Sequence, residues 1–350
     1  MERNEQLALL TELIACHSPP GEEHEIEVVL RREFEATGAK VWQDDATNLI
    51  AHVPGAGAKV VIAAHKDEIG MIVRKVLPDG RLQIENCGGS WPWKYGEGPI
   101  DHIADDGSLV RGILSVGSVH TLEGPVHELK RDKALTWKHV TVFTGLAADD
   151  LTARGVHVGS RAVVARERKQ LQHLGDFISS FALDDRMGLV ALVSALRTVT
   201  QRTDQPALDL YFVASHGEEV GMLGAVRAAQ LIAPVIFIAL DTSPVVHDSP
   251  VQVDARPVVW YREATYNNKA DCDRLLQLAA KIGFSAQPVL YSGSASDASR
   301  VKQFGLAGRT VCFGFARDNS HGHEIAHVAS IDNVVALLLA YLDTLHAESA

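Results

Sequence analysis

The chain is poor in cysteine. Its four cysteines, among 350 residues, are scattered and include no CxxC pair. We therefore expect neither a disulfide framework nor a thiolate zinc site, and a reducing cytoplasmic location fits this composition. The first residues, MERNEQLALLTEL, lack the basic start and long apolar core of a secretory signal peptide.

Positive charge and long apolar runs are also scarce. Lys and Arg total 33 against 44 for Asp and Glu, which gives a formal net charge of -11. An acidic surface argues against nucleic acid or an anionic membrane as a partner. The longest apolar run near the C-terminus, VVALLLAYL, is too short to span a bilayer. We therefore expect no nucleic-acid partner and no membrane partner.

The chain is long enough for one large or two medium domains, and its pattern changes along the sequence. Residues 71–165 hold short β-type runs separated by turns such as PDG, GEG and DDG, which predicts an inserted small β barrel. Residues 1–70 and 166–350 alternate apolar strands with helices. That alternation predicts a larger domain that is a three-layer α/β/α sandwich with a mainly parallel sheet.

Acidic residues and histidines stand where predicted strands end or a helix begins: His65 with Asp67, Glu218 with Glu219, Asp241, His321 with His323, and Asp184 with Asp185. Each alone suits a structural role, such as a helix N-cap worth about 1 kcal/mol. In an open α/β sheet, however, the carboxyl ends of the strands share one rim. So many carboxylates together would leave uncompensated negative charge, which divalent cations neutralise most simply.

Nitrogen and oxygen ligands without cysteine suit Zn²⁺, Co²⁺ or Mn²⁺. The set exceeds the needs of one ion, and two ions about 3.5–4 Å apart, bridged by a carboxylate and a water, would use it fully. Adjacent side chains in a turning backbone point apart, so one of the paired glutamates can bind metal while its neighbour acts as general base on that water. Asp67 is placed to orient the His65 imidazole.

In this order the motifs resemble the tetrahedral (TET-type) di-metal aminopeptidases, the glutamyl- and deblocking-aminopeptidase family of zinc metallopeptidases. The matching segments are AAHKDEIGMIV, ALDDRMG, HGEEVGMLGA and ALDT. The predicted barrel resembles the family's PDZ-like dimerisation domain. Residues 88–91 (GGSW) and 155–160 (GVHVGS) are similar to segments of that domain.

The resemblance implies a role for each residue. His65 and Glu219 would each hold one metal, Asp184 would bridge, and Asp241 and His321 would complete the set. Glu218 would be the general base and Asp67 the orienting residue, so these two are the catalytic residues.

Other residues stay outside this set or remain alternatives. Asp185 would be structural, beside Arg186. Asp297 would line the substrate site or serve as a turn carboxylate.

The last histidine is the loosest match. The family has a Tyr-x-His-Ser-Pro type of sequence there, whereas this chain has DNSHGHEIAH. His321 is chosen because it comes first after the strand; His323 is the rival, and His327 is assigned to the next element. His120 resembles a family histidine that reaches the active-site rim in the oligomer, although a surface histidine is the simpler interpretation.

The leading hypothesis is a metallo-aminopeptidase that removes N-terminal residues from short peptides, with two divalent ions per subunit, Zn²⁺ first and Co²⁺ or Mn²⁺ as alternatives. An N-acyl or dipeptide-amide hydrolase could use the same site. A glycosidase fits poorly, since its carboxylate pair must flank a sugar. The non-enzymatic alternative is a metal-stabilised assembly protein, which would need no spare base. The resemblance also implies homo-oligomers, in which dimers assemble into a tetrahedral dodecamer.

Overall fold

The computed structural model describes residues 1–131, 133–203 and 207–349. The helices in this part of the chain are α1 Arg3–Ala15, α2 His24–Glu35, α3 Pro92–Tyr95, α4 Gly124–Leu129, α5 Ala148–Ala153, α6 Leu183–Thr200, α7 Leu223–Ile232, α8 Lys269–Lys281, α9 Asp297–Gln303 and α10 Ser330–Ser349.

The strands are β1 Lys40–Gln43, β2 Leu49–Val53, β3 Lys59–His65, β4 Gly70–Val76, β5 Leu82–Cys87, β6 Gly98–Ile103, β7 Leu109–Ser115, β8 Thr141–Phe143, β9 Arg161–Val164, β10 Gln172–Leu174, β11 Phe177–Ser180, β12 Asp209–Ser215, β13 Ile236–Pro244, β14 Pro257–Arg262, β15 Gln287–Leu290, β16 Arg309–Asp318 and β17 Glu324–His327. Short 3₁₀ turns occur at Trp137–His139, Arg166–Arg168 and Glu218–Val220.

A single large sheet forms the middle layer. Its strand order is β1-β2-β12-β3-β13-β16-β17-β11-β10, with β14 paired to β16 and β15 paired to β14. The predicted parallel pairing holds for the four central strands, β12, β3, β13 and β16. The branch strands β14 and β15 also pair in parallel, whereas the outer strands of the main order are antiparallel, as at β1–β2 and β16–β17. The links there are short, and a parallel neighbour would need a long crossover.

Helices cover both faces of the sheet, which confirms the α/β/α sandwich. One face packs against α1, α2, α6, α8 and α10, and the other against α7 and α9. Strand β3 has a continuous apolar run because both of its faces are buried under helices. Its Val60, Ile62 and Ala64 face the first helix layer, while Val61 and Ala63 face the second, because successive side chains alternate between faces.

Six strands close into a separate antiparallel barrel in the order β4-β5-β8-β7-β6-β9. They run from Gly70 to Val164 and enclose their own apolar core, which includes Met71, Ile84 and Val142. The small barrel expected within residues 71–165 is therefore present, while the division of the chain into two folding units at those positions stays a prediction.

A buried ion pair joins the two places where the chain crosses between sheet and barrel. Glu68 lies between β3 and β4, and Lys169 lies just after β9. The Lys169 ammonium donates to Glu68 Oε1 at 2.8 Å and to the Cys16 carbonyl at 2.7 Å, and both side chains are buried. Buried charged partners held this way are costly to separate. The pair therefore holds the barrel in a fixed position against the sandwich.

Within the described residues, no helix combines the length and the apolar character that crossing a membrane requires.

His102 is a fully buried histidine in β6, inside the barrel. Neither ring nitrogen has a hydrogen-bond partner among the described residues. Burial lowers its pKa to about 4, because the imidazolium form would lose its hydration and would gain no hydrogen bond in return. The folded barrel therefore holds this ring neutral.

We expect His102 to make the fold acid-sensitive. Below about pH 6.5 the unfolded chain binds a proton on this ring, but the folded chain does so only near pH 4, so stability is lost as the pH falls through that window. The loss amounts to about 3 kcal/mol by pH 4. A His102→Gln variant should lack this component when urea-unfolding midpoints are compared at pH 7 and pH 4.5. The exposed His173→Gln should follow the wild type, and equal pH slopes for all three proteins would contradict the assignment.

Candidate metal centre

The parallel strands bring the predicted residues to one edge of the sheet. His65, the last residue of β3, lies opposite Ser215, the last residue of β12. Asp241 lies in β13, the neighbour of β3 on its other side. The 3₁₀ turn Glu218–Val220 follows β12 after two intervening residues. Because these strands run in the same direction, their polar ends meet.

Asp184 lies between two histidines. Its Oδ1 is 3.0 Å from His65 Nε2, and its Oδ2 is 3.6 Å from His321 Nε2. Asp184 and Asp185 are joined by a cis peptide bond and have non-helical backbone angles at the start of α6. Each carboxylate oxygen of Asp184 is therefore turned toward a different imidazole.

The ligand-type atoms form two overlapping groups. His65, Asp184 and Glu219 offer atoms that all lie within 4.8 Å of one another, and Asp184, Asp185 and Asp241 form a second such group. His321 Nε2 is 3.8 Å from Glu219 Oε1, which extends the first group. Imidazole nitrogens and carboxylate oxygens suit Zn²⁺, Co²⁺ or Mn²⁺. The residues therefore fit a site for divalent metal.

Asp67 holds the loop that carries the paired glutamates. Its Oδ1 accepts the backbone N–H of Glu218 and its Oδ2 accepts that of Glu219, each at 3.0 Å. His65 Nδ1 is also 3.3 Å from Asp67 Oδ1. The sequence suggested only the contact with the imidazole, since a backbone contact from a distant loop leaves no pattern. Asp67 thus links the first histidine to both glutamates.

Burial dominates the electrostatics of the site. It raises the pKa of Glu218 and of Asp241 well above the usual range, and it raises that of Glu219 to about 7. Burial also works to raise the pKa of Asp184, but the Arg317 guanidinium together with His321 and His65 outweighs it and holds that pKa well below the usual range. The remaining acids of the site have no comparable cation among the described residues. Their ionised forms are those that divalent ions would stabilise.

Arg317 and Glu324 are site residues that the sequence reasoning missed. Arg317, near the end of β16, donates to Asp184 Oδ2 at 2.6 Å and also to Glu324. Glu324 accepts the backbone N–H of Asp184 at 3.0 Å and of His321 at 2.9 Å. Extending the strand-end criterion to cations would have found Arg317. Glu324 lies in a short strand that the sequence pattern does not reveal.

The structure separates the three candidate C-terminal histidines. His321 faces Asp184 and Glu219. His323 instead lies 2.8 Å from the Ser179 hydroxyl, with its ring edge-on to Phe181, and His327 packs edge-on to Phe177. His120 is exposed in the barrel.

Two acidic residues near the site have other partners. Asp185 accepts the backbone N–H of His65 at 3.3 Å and of Gly188 at 3.1 Å, which accords with the structural role expected of it. Asp297 is buried and accepts the Ser215 hydroxyl at 2.5 Å. It does not line the cavity beside the metal-type residues, so it supports the end of β12 from behind.

A cavity of about 600 Å³ opens over the carboxylates. Its polar wall includes Glu218, Glu219 and Asp241, and Met222 and Val245 contribute apolar surface. This volume suits a small ligand or the end of a peptide.

Comparisons with known proteins relate the chain to one peptidase family. Residues 47–337 match the model of the M42 glutamyl aminopeptidase family. A putative aminopeptidase from Acetivibrio thermocellus is 27% identical over 347 residues, covering 97% of this chain and 99% of the relative.

Two solved structures share the fold. One is a TET aminopeptidase from a marine sediment archaeon of the Thaumarchaeota, with a TM-score of 0.87 at 21% identity, covering 98% of this chain and 97% of the other. The second is the Pyrococcus horikoshii TET1 peptidase, described as assembling into a tetrahedron or a large octahedral shell. It has a TM-score of 0.82 at 23% identity, covering 97% of this chain and 98% of the other.

Proposed function

The chain belongs to the M42 glutamyl aminopeptidase family, and from this premise we propose that it is a two-metal aminopeptidase that removes N-terminal residues from short peptides. One observation carries the proposal. Asp184 turns one carboxylate oxygen to His65 and the other to His321. Of the adjacent pair Glu218 and Glu219, only Glu219 belongs to a group of possible metal ligands. Glu218 is therefore not needed for metal binding and can act as a catalytic group.

We assign the ligands to two ions as the family resemblance implies. His65 and Asp241 would hold the first, and Glu219 and His321 the second, with Asp184 shared. The distances from His321 Nε2 to Asp184 and Glu219, 3.6 and 3.8 Å, support the second group. The zinc ion fits this donor set, and Co²⁺ or Mn²⁺ would fit it as well.

Glu218 is placed to act as the general base. Its carboxyl group lines the cavity, and burial raises its pKa well above the usual range. When bound, the two ions lower the pKa of water toward about 7 and polarise the scissile carbonyl. Glu218 accepts the proton from the attacking water and returns it to the leaving amine. Asp67 keeps the Glu218 backbone, and the His65 ring, in place for this transfer.

The charge of the site favours a free N-terminus over a blocked one. Five carboxylates belong to the ligand-type groups or stand beside them: Asp184, Asp185, Glu218, Glu219 and Asp241. Two divalent ions supply four positive charges, and Arg317 supplies one more, but that residue is shared with Glu324. The excess of negative charge attracts an α-ammonium group, which an N-acyl substrate lacks.

The base assignment is tested by Glu218→Gln. Because glutamine cannot accept the proton, the turnover number should fall by about 10²–10⁴-fold. The content of bound metal should stay at the wild-type value, since Glu218 is not a proposed ligand. The exposed Glu35→Gln serves as the control and should be fully active. Normal turnover by Glu218→Gln at unchanged metal content would contradict the assignment of Glu218 as the general base.

The substrate class is tested with free and N-acylated aminoacyl anilides and dipeptides. Protein stripped by a chelator should be inactive and should regain activity with Zn²⁺, Co²⁺ or Mn²⁺. We expect release only from free N-termini. Release only from blocked substrates would move the protein to the N-acyl amidohydrolase class. A protein that holds two ions but cleaves no amide would point to the non-enzymatic metal-stabilised assembly.

We further propose that the chain forms a homo-oligomer, with dimers assembled into a tetrahedral dodecamer. The shared fold with an assembling TET1 peptidase supports this, and so do two exposed tryptophans on the barrel, Trp91 (53% exposed) and Trp93 (56%). Light scattering on the purified chain should give twelve copies of 37.9 kDa, about 455 kDa in all. An active monomer would contradict the assembly.

A further inference from the structure

The barrel approaches the metal centre through one turn. Residues 88–90 connect β5 to α3, and we call them the glycine turn after Gly88 and Gly89. The Gly89 carbonyl accepts a hydrogen bond from His321 Nδ1 at 2.6 Å. Gly89 also lines the cavity together with His65, Asp184 and Glu219. A segment of the inserted barrel is thus part of the wall of the site.

The contact decides which ring nitrogen of His321 is free. A carbonyl oxygen only accepts hydrogen bonds, so Nδ1 must carry the proton. In the neutral ring, Nε2 then keeps its lone pair and points toward Asp184 and Glu219, at 3.6 and 3.8 Å. Metal-binding histidines commonly donate their other N–H to such a partner, which sets the tautomer and the ring orientation.

The two glycines are needed because the turn lies so close to the ligands. A Cβ atom at position 89 would lie 3.2 Å from Cε1 and 3.3 Å from Nδ1 of His321. A Cβ atom at position 88 would lie 3.3 Å from Glu219 Cβ and 3.0 Å from Ile69 Cγ2. Gly88 also has a φ of +92°, which side-chain-bearing residues rarely adopt. Neither position accepts a side chain without displacing a proposed ligand.

Other contacts hold this turn and the His321 loop in register. The Asn86 side-chain amide donates to the Gly88 carbonyl at 2.8 Å, and the Trp137 indole donates to the Ser90 carbonyl at 3.2 Å. From α3, Lys94 Nζ donates to Asn319 Oδ1 at 2.7 Å. The loop carrying His321 is therefore tied to the barrel at two points.

We propose that the glycine turn of the barrel positions the second metal ion by fixing the tautomer and place of His321 and leaving room for Glu219. Gly88 and Gly89 are positioning residues, since they act through these two side chains. The inference rests on the ligands proposed above. It makes the affinity of one ion depend on a part of the chain outside the α/β/α sandwich.

The test is a Co²⁺ titration of metal-free Gly89→Ala, followed by calorimetry and by the visible spectrum of the bound cobalt. One of the two binding steps should weaken by about 10–100-fold, with an altered spectrum, while the other step stays at the wild-type affinity. Gly308→Ala is the matched control, because its nearest neighbour to an added Cβ is 3.6 Å away and its φ is unexceptional. Two wild-type binding steps with an unchanged spectrum would overturn the proposal.

A second comparison covers the case in which Gly89→Ala does not fold. Lys94→Met removes the other tie between the barrel and the His321 loop, and the exposed Lys75→Met is its control. The same binding step should weaken in Lys94→Met and not in Lys75→Met; equal affinities would count against the proposal.

These readouts do not require peptide hydrolysis. A wild-type protein that binds two ions but cleaves nothing would refute the proposed function alone. A wild-type protein that binds only one ion would refute both.

Discussion

The concentration of buried carboxylates at one edge of the sheet is the constraint on which the rest of the structure depends. Ionised acids this close together repel, and burial deprives them of the water that would stabilise their charge. The protein supplies one strong cation, Arg317, between Asp184 and Glu324. The remaining negative charge is arranged around two positions that divalent ions suit. Most neighbouring contacts, including those of Asp67, hold these acids in place.

The proposed mechanism depends on the separation of Glu218 from the ligand-type groups. A purely structural metal site is closed and needs no spare acid. Here the two glutamates are adjacent in sequence, and the backbone of both is held by one carboxylate, Asp67. Yet only Glu219 lies within reach of His65 and Asp184. Under the proposed mechanism, a single turn after β12 therefore supplies both a ligand and a base.

The barrel is more closely involved in the site than an assembly module would need to be. Its chain crossings are joined by the buried Glu68–Lys169 pair, and its glycine turn touches His321. The rigid attachment and the close contact are related, because movement of the glycine turn would also move His321, a proposed ligand. Any motion between barrel and sandwich is thus coupled to the geometry of the metal centre.

The sequence by itself determined the fold class, the inserted barrel and the candidate ligands. Apolar runs such as that of β3 predict buried strands, and residues that end parallel strands meet at one edge whatever the loops do. The separation of His321 from His323 was decided by the tertiary structure. So were the antiparallel flanks and the contacts of Arg317, Glu324 and Gly89. Each depends on segments far apart in the chain, and a contact across such a distance leaves no periodicity or spacing in the sequence to read.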